Sequence, residues 1–331
     1  MAAKSGVEKI AAKVAKKLIA IDGVLAVTLG GSTARGAADA ASDVDLGVYY
    51  RAEKKPQVER FRELAKDLDD EHEPLSVTGY GDWGSWINGG AWLRVGGKRV
   101  DWLYRELGHV VQAIGDSRAG RVGVDYQPGH PHGWSHHIYM GEVAECEVLQ
   151  DPQGVLKAMK QLASEYPEGL RRGLLERHLW EASFTLETVA KSPKRGDVAY
   201  VAGALYRCAA ALVQVVFALN GRYFLNEKGS VAAAGGMKLS PKGFEKRVQE
   251  ILGKVGTTPA QLVRSVGAMS DLVGEVRDLA APFTLEVERQ PLLAAIEQRK
   301  RRALAVEGRR KHPHILAARP LDLDHLGARL R

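Results

Sequence analysis

Apolar and polar positions alternate with two different periods along this chain, and the change of period divides it. Val7, Ile10, Ala11, Val14, Leu18 and Ile19 recur at helical spacing, behind a Ser5/Glu8 capping box, so the chain opens with an amphipathic helix. "VLAVTLGG" (Val24–Gly31) is a short apolar run that stops on glycines, the pattern of a buried strand. Ser32–Ala40 suits a short helix, and Val44–Tyr50 is the next strand. A polar helix over about Pro56–Glu71 and a strand at "LSVTGY" (Leu75–Tyr80) follow. "AWLRVGGKRVDWLYREL" reads as a hairpin, because two β-rich runs flank Gly96-Gly97, a pair that accepts the positive φ of a tight turn. A loop rich in Gly, Pro and His (Gly129–His137) then leads to a last strand near Gly141–Leu149.

"QDPQG" marks a boundary around Asp151, and beyond it the period is helical: about 152–165, 168–191, 195–220, 241–254, 258–280 and 284–307. Strands first and helices after define an α+β chain. The expected division is 1–150 as the strand-containing domain, 151–288 as a helical domain, and 289–331 as a basic helix end and tail. The chain has 331 residues, enough for about two domains with their own cores.

Charge changes this picture only at one end. From Arg289 to Arg331 there are 11 Lys/Arg and 4 Asp/Glu, which equals the whole net charge of +7. The remaining chain is balanced, which argues against a nucleic-acid groove along the body. For the tail, whose densest part is "QRKRRALAVEGRRKHPH", two readings stand: a solvated helix end, or a contact to RNA, an acidic protein or a second subunit. Two cysteines, Cys146 and Cys208, make neither a disulfide framework nor a zinc pattern, which suits a reducing cytoplasm. "VAYVAGALYRCAAALVQVVFALN" (Val198–Asn220) is about long enough to span a bilayer, yet it holds Arg207 and Gln214. It reads as the central helix of a domain, and no membrane partner is expected.

Candidate chemistry concentrates in "GGSTARGAADAASDVDLGVYY". Alternate residues of a strand share a face, so Asp43 and Asp45 point one way while Val44 and Leu46 point into a core. Adjacent carboxylates repel and raise one another's pKa unless a cation lies between them. Mg²⁺ fits, since it binds through one or two carboxylates plus phosphate oxygens and water. Asp101 in "RVDWLY" repeats the apolar-Asp-apolar pattern, and beside Val44–Tyr50 it would complete a set of three. Gly30-Gly31-Ser32 at a helix entrance exposes backbone N–H groups and a hydroxyl suited to phosphate oxygens, and Arg35 lies one turn on. The turn would hold phosphates and the carboxylates the metals that bridge them, which is the two-metal arrangement for in-line attack at phosphorus. No Walker motif is present.

"GGSTARG……SDVDLGV" together with "RVDWLY" resembles the nucleotidyltransferase superfamily that includes DNA polymerase β. The form is nearest to the small-molecule and minimal nucleotidyltransferases of bacteria, such as the aminoglycoside and lincosamide adenylyltransferases. The resemblance implies a mixed sheet flanked by helices, followed by an all-helical domain that closes the cleft. It implies that Gly31 and Ser32 touch a triphosphate, with Arg35 adding charge. Asp43 and Asp45 would bind two Mg²⁺ ions, and Asp101 would bind the catalytic metal and accept the acceptor's proton. Lys228, in "FALNGRYFLNEKGSV", resembles a helical-domain lysine that reaches the triphosphate. Glu142 is a competing general base. The implied activity moves a nucleoside monophosphate, AMP from ATP or its equivalent from another NTP, to a hydroxyl of a small-molecule acceptor. Two other readings stand beside it: a protein-AMPylating enzyme of toxin–antitoxin type, and a non-catalytic nucleotide-binding protein.

Several further residues carry a structural and a functional reading together. Trp83 and Trp86 could wall an acceptor pocket or pack in a hairpin. His130, His132, His136 and His137 could face that pocket or gather round a metal. Asp197 suits the N-cap of the long helix. Arg171 or Arg172 with His178 matches the short R-x(4–6)-H pattern of HEPN ribonucleases, a pattern that arises by chance in a basic helix.

Overall fold

The computed structural model describes residues 6–31, 43–72 and 77–284. The sheet is built from β1 (Val24–Leu29), β2 (Val44–Tyr50), β3 (Gly90–Val95), β4 (Lys98–Glu106) and β7 (Glu147–Gln150), in the spatial order β3-β4-β2-β1-β7. Only β2 and β4 run parallel; every other neighbour is antiparallel. The sheet is therefore mixed, flanked by helices, with a helical region after it. The period-2 apolar residues explain its two faces. Val44, Leu46 and Val48 of β2 and Val100, Trp102 and Tyr104 of β4 are buried on one face. There they meet Val14 and Leu18 of α1 (Gly6–Leu18) and Phe61 and Ala65 of α2 (Val58–Leu68).

The other face carries Asp45 and Gly47 of β2 and Asp101, Leu103 and Arg105 of β4, and it borders the second core. That core includes Ala26 and Tyr49 from the sheet and runs into the helices. Its centre is the pair α7 (Glu168–Val189) and α8 (Val198–Leu219), which pack along each other. The most apolar window of α8 is 67% buried, and α8 is the one described helix long and apolar enough to cross a membrane. Residues up to Phe283 form one compact unit, with no break at 150.

The region before residue 150 departs from the sequence expectation in four places. The segment taken as a Gly/Pro/His loop is a hairpin, β5 (Val124–Gln127) with β6 (His130–Ser135). The last strand begins at Glu147, because Ile138–Glu145 forms a helix, α5, whose buried Ile138, Met140, Gly141 and Val143 pack against the helical core. Lys160, on α6 (Val155–Ala163), holds the end of α5 by donating to the carbonyls of Val143, Ala144 and Cys146. A helix that the pattern does not announce, α4 (Leu107–Arg118), follows β4 without a turn. The Glu106 carboxylate caps it by accepting from the Gly108 and His109 N–H groups at 2.8 and 2.7 Å. At the proposed strand Leu75–Tyr80, Val77 makes an isolated bridge to Ala91; residues 75 and 76 lie outside the described residues. The short helix α3 (Gly84–Ile87) precedes β3.

The later helices follow the sequence expectation more closely. Two short ones, α9 (Ser230–Gly235) and α10 (Phe244–Gly253), lead to α11, which runs unbroken over 259–284. The expected separate start at 284 falls on the last described residue of that helix. The proposed helix Ser32–Ala40 and the basic tail lie outside the described residues.

Candidate active site

The end of β1 and the start of β2 build the site together. The Gly30 N–H donates to the Asp45 carbonyl at 2.8 Å, which fixes the turn against β2. Gly31 has φ of 65°, and a Cβ there would lie 1.9 Å from Asp45 Oδ2. The residue is thus glycine for two reasons: a left-handed backbone and the carboxylate resting on its Cα. Ser32 and Arg35, the other proposed phosphate contacts, lie outside the described residues.

β2 and β4 pair in register, with Asp45 opposite Asp101. Because Val44, Leu46, Val100 and Trp102 are all committed to the core, both carboxylates must emerge on the opposite face. Asp43 immediately precedes β2. The Asp101 carboxyl is pushed up to about 7, first by burial and then by the charges of Asp45 and Asp43, with Arg99 and Lys228 pulling the other way. The three aspartates and Lys228 thus act on one another, although 127 residues separate Asp101 from Lys228.

Two hollows meet at this cluster. One, of about 350 Å³, is lined by Gly30 and Gly31, Asp45, Arg105, Glu142 and Lys228. The other, of about 410 Å³, is lined by Asp43, Asp101, Asp69, Glu71, Trp92 and Arg99. Asp45 lines the first, and Asp43 and Asp101 line the second. Among the described residues no three His, Cys, Asp or Glu side chains stand ready-made as a metal cage. The donor set suits a hard cation that takes one or two carboxylates and completes its shell with phosphate oxygens and water. The raised Asp101 carboxyl reflects first its burial and then the neighbouring charges of Asp45 and Asp43.

Glu142 lies on α5, and both its oxygens are taken by Arg105: Nε to Oε2 and Nη2 to Oε1, each at 2.8 Å. Arg105 is 2% exposed and also donates to the carbonyls of Ile87 and Tyr104. It was not among the residues expected in the site. The signal was available, since residues 101, 103 and 105 share a strand face.

The two tryptophans separate. Trp83 stacks on Trp92 at 4.4 Å, and Trp92 is 59% exposed and pairs in register with Asp101. Trp86 is sandwiched between His136 and His109, at 3.9 and 4.5 Å, and donates to Asp125. The four histidines diverge. His130 sits edge-on to Trp134, His132 meets Glu181, and His136 meets Asp125. Burial, then the neighbouring histidines His178 and His136, push His137 down to about 3, so it is neutral. Asp197 caps α8 by accepting from the Tyr200 N–H. His178 is buried against Glu181, while Arg171 is held by Glu168 and the Ala218 carbonyl.

Residues 9–78 match the family profile described as a nucleotidyltransferase domain. Those residues of the N-terminal region are thus similar to a nucleotidyltransferase domain. This supports the polymerase β-like superfamily and nucleotidyl transfer in general. The match contains Gly31, Asp43 and Asp45 and ends before Asp101. Residues 136–228 match a domain of unknown function (DUF4037), a stretch that includes Glu142 and ends at Lys228. No curated protein matches the chain. Among solved structures it is similar to a nucleotidyltransferase-like protein from Exiguobacterium sibiricum 255-15. That similarity has 12% identity and a TM-score of 0.43, over 86% of this chain and 80% of that one.

Proposed function

We propose that the nucleotidyltransferase domain moves a nucleoside monophosphate, AMP from ATP, to a hydroxyl of a small-molecule acceptor and releases pyrophosphate. The observation that carries this reading is the in-register pair Asp45 and Asp101 facing the Gly30-Gly31 turn, with Lys228 across the cleft. In the reaction the acceptor oxygen bonds to the α-phosphorus as the bond from that phosphorus to the pyrophosphate oxygen breaks. The acceptor's proton goes to a base.

Each residue has a part suited to its surroundings. The turn and Lys228 bind the triphosphate, and Ser32 and Arg35 are assigned to the same task. Asp43, Asp45 and Asp101 would hold Mg²⁺, two ions when the site is full, and bound Mg²⁺ would supply charge neutralisation on the phosphates. Asp101 is also the proposed base, since it lines the hollow beside Trp92 from which an acceptor hydroxyl would approach. Glu142 suits that role less well, because the Arg105 guanidinium occupies both its oxygens. The hollow beside Trp92 is the proposed acceptor side. Its openness to solvent fits a small molecule approaching Asp101 from the sheet edge.

The test is direct. Purified protein is incubated with each of four α-labelled NTPs, Mg²⁺ and a panel of hydroxyl acceptors, with Asp45→Asn as control. Label transfer with pyrophosphate release, absent in the control, is expected. Transfer that survives Asp45→Asn would refute the assignment. Label appearing on protein instead would favour the AMPylating alternative.

A further inference from the structure

Lys228 belongs to an irregular link between α8 and α9, and something must fix a ten-residue link if one lysine on it is to meet a triphosphate. Phe224 is buried and anchors the middle of the link. At its end the chain turns tightly. The Asn226 side chain accepts from the Lys228 N–H at 3.0 Å, and Gly229 takes φ of 71°. Ser230 donates to the Glu227 carbonyl through its hydroxyl at 2.8 Å and its N–H at 3.2 Å. Neighbours in such a turn diverge. Lys228 lines the cleft, while the Glu227 carboxylate turns to the protein body.

That carboxylate ties the turn to two separate elements. It accepts from the His132 N–H on β6 at 3.1 and 3.3 Å, and from the Tyr206 hydroxyl on α8 at 3.0 Å. The anchors are themselves secured. The His132 imidazole lies 3.3 Å from Glu181 Oε1, the same oxygen that Arg207 reaches at 2.6 Å. A chain of polar contacts therefore runs from Glu181 on α7, through β6, to the residue next to Lys228. We propose that Glu227 is a positioning residue, which locks the turn so that Lys228 is presented to the triphosphate before it binds. The proposal rests on the nucleotidyl-transfer reading of the cleft and assigns it a specific source of preorganisation.

A bare charge effect and a positioning effect have opposite signs here. Glu227 is negative and adjoins a site for a polyanion, so removing its charge alone should tighten nucleotide binding. Removing a positioning group should weaken it. The experiment is calorimetric titration of the full chain with Mg²⁺ and ATP, and with Mg²⁺ and inorganic tripolyphosphate, which has no base.

Lys228→Ala should weaken both ligands about 10-fold or more, the worth of one charge-assisted hydrogen bond. Glu227→Ala should weaken them about 2–10-fold, the cost of ordering a side chain and its turn on binding. Glu227→Gln, which keeps an acceptor for His132 and Tyr206 and removes only the charge, should bind both ligands as tightly as wild type or up to a few-fold tighter. In the double variant Glu227→Ala/Lys228→Ala the losses should not add, since an absent lysine cannot be mispositioned. Tyr206→Phe removes one anchor and serves if Glu227→Ala fails to fold; it should move binding in the same direction.

Additive losses, or tighter binding by Glu227→Ala, would overturn the proposal. Unaltered binding by Lys228→Ala, or no binding by wild type, would overturn the reading beneath it. The two failures are thus distinguishable.

Discussion

Replacing Asp101 with asparagine should make the metal-free protein more stable, and only above a definite pH. The Asp101 carboxyl titrates near 7 in the fold, because burial and the charges of Asp45 and Asp43 penalise its ionised form. In the unfolded chain an aspartate titrates at about 4. A folded pKa above the unfolded one favours the fold below about pH 4, and that contribution is lost as pH rises through about 7. The full difference of about three pH units would be worth a ceiling of ~4 kcal/mol. Asp101 is only half-buried, and solvent screening reduces this to about 1–2 kcal/mol. An asparagine is never charged and escapes the penalty. Thermal unfolding in EDTA should therefore give Asp101→Asn a Tm about 1.5–3 °C above wild type at pH 8. The two proteins should unfold together near pH 4. Adding Mg²⁺ at pH 8 should raise the wild type more than the variant and close the gap. A variant equally destabilised at both pH values would refute the reasoning. So would a gain that Mg²⁺ leaves untouched.

The remaining predictions concern the same cleft. Gly31→Ala places a methyl against Asp45 Oδ2 at a φ of 65°, so the carboxylate must swing away; Mg²⁺ and nucleotide binding should fall sharply while stability drops only about 1–2 kcal/mol, read by titration and denaturant unfolding. Arg105→Met leaves the Glu142 carboxylate without its guanidinium, and should cost about 2–4 kcal/mol in urea, less than a fully buried pair because Glu142 keeps some solvent. A stability unchanged by that substitution would show the pair to be unimportant. Burial pushes the Cys146 thiol up to about 11 and the Cys208 thiol up to about 12. Neither should react with a thiol reagent at pH 7.5 until the protein is unfolded, when both should.

The placement of the aspartates was easier to read in the sequence than the elements around them. Asp43, Asp45 and Asp101 were legible because each borders residues with an unambiguous duty to the core, and a strand leaves its alternate positions no other direction. The helix-rich second half was legible for the same reason, at a period of 3.6. The segment from Leu107 to Gln150 was not. There α4 follows β4 with no turn residue between them, and its cap is a side chain reaching forward from the strand's last residue. The run Ile138–Glu145 is apolar on nearly all sides, so periodicity could not separate a buried helix from a buried strand. Lys228 was named only from a resemblance. Its place opposite Asp101 depends on the tertiary packing of a link that has no pattern of its own. Arg105 could have been found by carrying the phase of Asp101 four residues further.

The parallel register of β2 and β4 also sets rules for how this chain can change in length. Loops between Asp45 and Asp101 can gain or lose residues without disturbing either, since nothing in that interval fixes their pairing except the strands themselves. Inside β4 the tolerance vanishes. Deleting Trp102 would keep Asp101 in place but send the 103 and 105 positions to the opposite face, and a deletion just before Asp101 would exchange the aspartate with its apolar neighbour. A library of single-residue deletions over 96–106 should therefore lose binding throughout, because the two-residue Gly96-Gly97 turn, whose N–H groups donate to Asp70, sets the β3/β4 register as strictly as the strand sets its own. Length variation among descendants of this chain is accordingly channelled into loops outside the paired strands and their hairpin turn.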